Sequence, residues 1–149
     1  MKKICAFLIG LTLTLSSCSN SDDSQKSNPY LPNYGFDTGN MINTNLPQYS
    51  QLQFPGNYVI VNGYGINGFV LYSVGGNQFT AFDLTDPNHS LTNCSDLNIE
   101  NGIFAYCNCD DGNNYDIVTG SPQEGTTGNY TLKPYFVEAT DNIIRVYNN

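Results

Sequence analysis

Short runs of Val, Ile, Tyr, Phe and Thr, punctuated by clusters of Gly, Asn and Asp, fill this 149-residue chain from about residue 42 onward. That punctuation constrains the fold more than any other feature. β-Branched and aromatic side chains pack well on a pleated surface, while Gly, Asn and Asp supply the backbone freedom of turns. Little helical period is visible. The pattern predicts strands near Ile42–Leu46, Tyr58–Val61, Phe69–Val74, Gln78–Asp83, Asn98–Glu100, Ile103–Cys107, Tyr130–Val137 and Ile143–Tyr147. Gly75-Gly76, Glu100-Asn101-Gly102 and Asp141-Asn142 mark the turns between neighbours. Regular spacing of this kind points to an all-β domain, an antiparallel sandwich or barrel, with no internal repeat.

One motif argues the other way and loses. Gly63-Tyr-Gly65-Ile-Asn-Gly68 spells G-x-G-x-x-G. A dinucleotide site needs that loop to open a helix whose N-terminal amides hold the pyrophosphate. Here FVLYSV follows, which is strand, so the glycines are read as a turn between two strands.

The first residues bear on compartment. Lys2 and Lys3 precede an apolar run, Ile4 to Leu15, too short to span a bilayer comfortably. This reads as a secretory signal peptide over residues 1–17. Its ending, Leu15-Ser16-Ser17-Cys18, resembles a bacterial lipobox, which implies cleavage before Cys18 and lipid on Cys18. Cys5 leaves with the signal. Residues 18–35 are polar, contain two prolines and lack an apolar period, so they are expected to be a flexible tether with a reach on the order of 20 Å. Residues 36–149 form the expected single domain. The run Ser21-Asp22-Asp23 resembles the acidic export signal of surface lipoproteins. The expected location is therefore the bacterial outer membrane, surface exposure being favoured slightly over the periplasm, with the lipid on Cys18 as the membrane contact. Without Lys2 and Lys3, three basic residues face thirteen acidic ones, a net charge of about −10. That charge argues against nucleic acid as a partner.

Residues 106–116, YCNCDDGNNYD, place two cysteines one residue apart before an acidic, Gly/Asn-rich loop. Upstream lie QFTAFDLTDPNH and Cys94; downstream lie YDIVTG and a Pro-Gln-Glu-Gly turn. This order of features resembles the Rieske domain family, in a small lipoprotein form found in Bacteroidota. The resemblance implies an antiparallel β-sandwich or barrel carrying a small two-loop subdomain. In that family the loops hold a 2Fe–2S cluster with two cysteines and two histidines, and a further cysteine in each loop bridges them. Carried onto this chain, the first-loop ligands fall on Asp86 and on Asn88, or on His89 with one residue of slack. The second-loop ligands fall on Cys107 and Asp110, and the implied disulfide is Cys94–Cys109. One ligand of the right type, or two with His89, cannot close both irons. The resemblance thus implies a Rieske-like scaffold whose cluster ligands have degenerated.

Cysteine arithmetic agrees with that pattern. With Cys18 lipidated and Cys5 removed, three cysteines remain and one stays unpaired. Cys107 is expected to be the free thiol, buried and unreactive, because its neighbours are acidic rather than cationic. Oxygen donors crowd residues 110–116, at Asp110, Asp111, Asn113 and Asp116, but their spacing does not match an EF-hand, so a solvated turn is favoured over calcium. A mononuclear ion on Asp86, His89, Cys107 and Asp110 matches no established spacing. His89 is the lone histidine, so any nucleophile–histidine scheme would pass through it; no catalytic residue is assigned. No cofactor or metal is assigned either. Eleven tyrosines and many asparagines suggest a face for a glycan or another envelope protein. The sequence thus reads as an envelope lipoprotein, not an enzyme, serving as a binding or structural module. The alternative is an electron-transfer protein with an atypically ligated 2Fe–2S cluster.

Overall fold

The computed structural model describes residues 28–100 and 102–149. The expected signal peptide and the expected lipidation site at Cys18 lie outside them. Among the described residues ten strands run in chain order: β1 Phe36–Asp37, β2 Ile42–Asn43, β3 Tyr58–Val61, β4 Phe69–Gly75, β5 Gln78–Asp83, β6 Leu97–Glu100, β7 Phe104–Cys107, β8 Asn114–Asp116, β9 Phe136–Thr140 and β10 Ile143–Asn148. All strand pairings among the described residues are antiparallel, so the domain is all-β. A 3₁₀ turn, Ser50–Gln53, seats Leu52 in the core. No helix among the described residues is long and apolar enough to cross a membrane.

Three sheets form. β10 pairs with β9 along one edge and with β1 and β2 along the other; β3-β4-β5 is a meander; β6-β7-β8 is a second, smaller meander. The β3-β4-β5 sheet buries both faces. Val59, Val61, Phe69, Leu71 and Ala81 pack against Ile42, Ile144 and Val146 on one side. Val70 and Phe82 face the opposite way, onto Leu97, Ala105 and Tyr115 of the smaller meander. Side chains alternate across a strand, so a sheet covered on both faces reads as a continuous apolar run. The FVL of Phe69–Leu71 is that run, and all three residues are fully buried.

Several expectations need correcting. The strand expected over Tyr130–Val137 is regular only from Phe136. Its first half runs irregularly beside β5, through Asp83 N–H to Lys133 O and Tyr135 N–H to Ala81 O. Pro134 interrupts a regular ladder there, having no N–H to donate. The strand expected over Ile42–Leu46 ends at Asn43, where the Asn43 side chain caps Asn45 N–H in a local turn. β1 and β8 were not expected. Part of the segment expected as tether packs on the domain: Leu31 is buried, Asn28 Nδ2 donates to Pro87 O at 2.8 Å, and Lys133 Nζ donates to Asn33 Oδ1 at 2.8 Å.

The glycines of G-x-G-x-x-G form a turn between β3 and β4, as the pattern predicts. Gly65 has φ +71°, and a Cβ there would meet the Tyr135 hydroxyl and Asp83 Oδ2. The turn thus lies directly over a buried pair, in which Tyr135 donates its hydroxyl to Asp83 and Ile66 N–H donates to the same carboxylate oxygen. Close packing explains this glycine without a nucleotide.

Candidate functional site

The far end of the β6-β7-β8 meander is built from two loops. The first runs from Leu84 to Asp96 and the second from Cys107 to Asn113. Asp86 N–H donates to Ser95 O, and Cys107 N–H donates to Asn113 O, so each loop is closed by its own backbone. Between them the Cys94 and Cys109 sulfurs stand 2.08 Å apart, at disulfide distance, and Cys107 is the free thiol among the described residues.

Asp86 is fully buried. Its Oδ1 accepts from Tyr115 OH at 2.7 Å and from Asn88 N–H at 2.8 Å; its Oδ2 accepts from Asn113 Nδ2 at 2.9 Å. Asn88 is equally committed. Its Nδ2 donates to Tyr115 OH at 2.9 Å and to Tyr130 O at 2.8 Å, and its Oδ1 accepts from Tyr130 N–H at 2.9 Å. Gly128 presses so closely on Asn88 that a Cβ would collide with the amide. Asp86 and Asn88 therefore tie the first loop to β8 and to the segment at Tyr130.

His89 is half-buried and faces the second loop. Its Nε2 lies 3.3 Å from Cys107 Sγ, 3.4 Å from Asp111 Oδ2 and 3.6 Å from Asp86 Oδ2. Its Nδ1 sits 2.8 Å from Ser90 O. A carbonyl can only accept, so Nδ1 carries the proton, and in the neutral ring Nε2 offers a lone pair. Burial pushes the Cys107 thiol up to about 12; the N–H of Cys109 opposes that shift, and the Asp86 and Asp111 carboxylates reinforce it. Burial and the two carboxylates thus favour the protonated form of the Cys107 thiol.

Asp110, the position expected to hold a second-loop ligand, is exposed and outside this cluster; Asp111 takes its place. Part of the reason is local. Asp111 Oδ1 accepts Asn113 N–H at 3.0 Å in an Asx turn, which swings the other oxygen toward His89. Asn113, within the turn expected to be solvated, is instead buried, and its Oδ1 accepts from Thr127 N–H and Oγ1. Gly112 beside it has positive φ. Asp116 accepts Val118 N–H in its own turn, so the oxygens of residues 110–116 do not converge as a calcium site among the described residues. Tyr115 and Tyr130 were not singled out as site residues, and Asn113 was singled out only as an oxygen donor of the 110–116 loop. The only trace in the sequence is Tyr115 within YDIVTG, on a strand that places it inward.

No family model matches the chain, and no curated protein matches it. Among solved structures, a chain from a "complex of reduced oxygenase and oxidized ferredoxin in carbazole 1,9a-dioxygenase" is similar to this chain at 26% identity, over 62% of this chain and 82% of that chain, with a TM-score of 0.42.

Proposed function

We propose that this chain is a lipid-anchored envelope protein whose Rieske-like domain works without a 2Fe–2S cluster, as a binding or structural module. The support for the scaffold is the order of features around FTAFD, Cys-x-Cys and YDIVTG, together with two loops meeting at Cys94 and Cys109. The observation that carries the loss of the cluster is the state of Asp86 and Asn88. Both occupy first-loop ligand positions, and both spend their polar atoms on the protein's own Tyr115, Asn113 and Tyr130.

The donor set does not fit the cluster. Such a group takes thiolates on one iron and imidazoles on the other. This end offers one thiol, one imidazole and hard carboxylates, which suit an iron–sulfur core poorly. The hydrogen bonds that replace the ligands hold the loops together, and the domain presents them as a rigid acidic end. Its partner is an envelope protein or a glycan, reached by a tether that begins at Cys18 and ends near Asn28.

Anaerobic treatment of the full chain with iron and sulfide tests this reading. The expected product is colourless and gives no Rieske-type EPR signal after reduction. A visible chromophore with about two irons per chain would overturn it. The anchor has its own test: Cys18→Ala should release the protein from the membrane fraction, and a variant that stays with the membrane contradicts the lipid.

A further inference from the structure

We propose that His89 Nε2, Cys107 Sγ and Asp111 Oδ2 form a mononuclear site for a borderline divalent cation, best matched by zinc, with Asp86 Oδ2 as the nearest fourth donor. The inference rests on the reading that no cluster occupies this end.

The distances carry it first. Zinc binds sulfur, nitrogen and oxygen at about 2.0–2.3 Å, so a tetrahedral ion separates its donors by roughly 3.3–3.8 Å. The imidazole Nε2 stands 3.3 Å from the sulfur, 3.4 Å from Asp111 Oδ2 and 3.6 Å from Asp86 Oδ2. These are edge lengths of such a tetrahedron. His89, Cys107 and Asp111 donor atoms all lie within 4.8 Å of one another. The Cys109 sulfur shares that neighbourhood, but its bond to Cys94 removes it as a thiolate ligand.

Each donor also has a partner behind it. The Ser90 carbonyl holds Nδ1–H and turns Nε2 inward. Cys109 N–H points at Cys107 Sγ at 3.4 Å, the kind of contact that steadies a thiolate. Asn113 Nδ2 reaches both carboxylates, Asp86 Oδ2 at 2.9 Å and Asp111 Oδ2 at 3.2 Å. Outer contacts of this type orient metal ligands. Charge completes the case. Among the described residues, the only basic group paired with Asp86 or Asp111 is His89; Lys133 and Arg145 are engaged elsewhere. His89 and Asp111 both reach solvent, which gives an ion its way in. The ligand mix favours zinc over its neighbours, since thiolate and imidazole discriminate against calcium and magnesium, and carboxylate against copper(I). Binding replaces the thiol proton with the metal and releases that proton to solvent.

The test uses the full chain purified in detergent, with its disulfide kept oxidised, stripped with chelator and titrated with cobalt(II) and then zinc. One cobalt per chain is expected, with a sulfur-to-cobalt charge-transfer band that zinc abolishes. Cys107→Ser should lose the band. His89→Ala and Asp111→Asn should weaken zinc binding at least about tenfold, and Asp110→Asn should not change it. A wild-type chain that stays folded and shows no thiolate band overturns the proposal, as does unchanged affinity in His89→Ala. If Cys107→Ser fails to fold, His89→Ala at the rim still decides. Iron and sulfide in the chain as purified would instead overturn the cluster-free reading.

Discussion

Tyr115→Phe probes whether the first loop is held by its own hydrogen bonds. The ring is fully buried at the centre of the smaller core cluster, so the substitution removes one oxygen and almost no packing. That oxygen donates to Asp86 Oδ1 at 2.7 Å and accepts from Asn88 Nδ2 at 2.9 Å. Burial, with a further contribution from Asp86, keeps the hydroxyl protonated well past the ordinary tyrosine range, so it remains a donor across the accessible pH. A hydrogen bond to a charged group contributes roughly 1.5–3 kcal/mol and a neutral one about 1 kcal/mol. Neither partner is wholly orphaned, because Asp86 Oδ1 keeps Asn88 N–H and Asn88 Nδ2 keeps Tyr130 O. The expected loss is therefore about 2–3 kcal/mol, below the sum of the two bonds.

Urea unfolding of the wild type, Tyr115→Phe, Asp86→Asn and the double variant measures this. The midpoint should fall at constant slope, since the surface exposed on unfolding barely changes. The double-variant cycle should give a coupling of at least about 1 kcal/mol, as expected for residues in one network. A loss below about 0.5 kcal/mol together with additive effects would refute the idea that this network replaces ligands as the loop brace.

Three further outcomes are expected. Replacing Cys94 and Cys109 with Ala opens a loop of 15 residues and should cost about 3 kcal/mol on the loop-entropy account, read as a shift in urea midpoint; a change under about 1 kcal/mol contradicts it. Gly65→Ala must place a methyl at φ +71° against Tyr135 and Asp83, so it should cost about 2–4 kcal/mol, whereas Gly76→Ala, with positive φ and open space, should cost about 1 kcal/mol; equal melting temperatures for the two variants would refute the close-packing explanation. Hydrogen bonds from the Arg145 guanidinium, with Gly39 N–H adding, lower the Asp37 carboxyl to about 2, so its contribution to stability is present above the ordinary carboxylate range and is lost as pH falls toward about 2; the NMR titration midpoint of Asp37 should rise in Arg145→Gln, and an unmoved midpoint rules out the pairing.

The parts of the fold legible in the sequence are those where composition and environment coincide. Val, Ile, Phe and Tyr at Tyr58–Val61, Phe69–Leu71 and Ile143–Tyr147 meet a pleated surface buried on at least one face, so local preference and tertiary packing agree. The failures are strands too short to carry a period. Phe36–Asp37 and Asn114–Asp116 take their extended form from pairing with β10 and β7, not from their own residues. The packing of residues 28–35 on the domain has the same origin. Asn28–Gly35 looks like polar linker, and what pins it is Leu31 entering the domain and distant partners at Pro87 and Lys133.

Of the positions singled out in the two loops, Asp86, His89 and Cys107 lie together and Asp110 does not, Asp111 standing there instead. Chain spacing brings His89, Cys107 and an acidic pair to one place, because the strands before them fix where each loop starts. It cannot say which of Asp110 and Asp111 turns inward. That choice is made by Asn113, whose N–H and Nδ2 bind the two Asp111 oxygens while its Oδ1 is anchored by Thr127. Thr127 lies on a third segment with no part in the two-loop pattern. Asn113 also reaches Asp86, so the same side chain that selects Asp111 sets the separation between the two carboxylates around His89. The selection is thus a property of three segments together. Replacing Asn113 with Asp keeps the size but puts a third carboxylate beside Asp86 and Asp111, and like charges at that range repel. The second loop then has reason to swing Asp111 outward, exposing Cys107 to solvent. A faster reaction of the Cys107 thiol with a soluble disulfide reagent in Asn113→Asp, at unchanged secondary structure, is the expected sign. An unchanged rate would mean that Asp111 is held by its own turn and that Asn113 plays no part in choosing it.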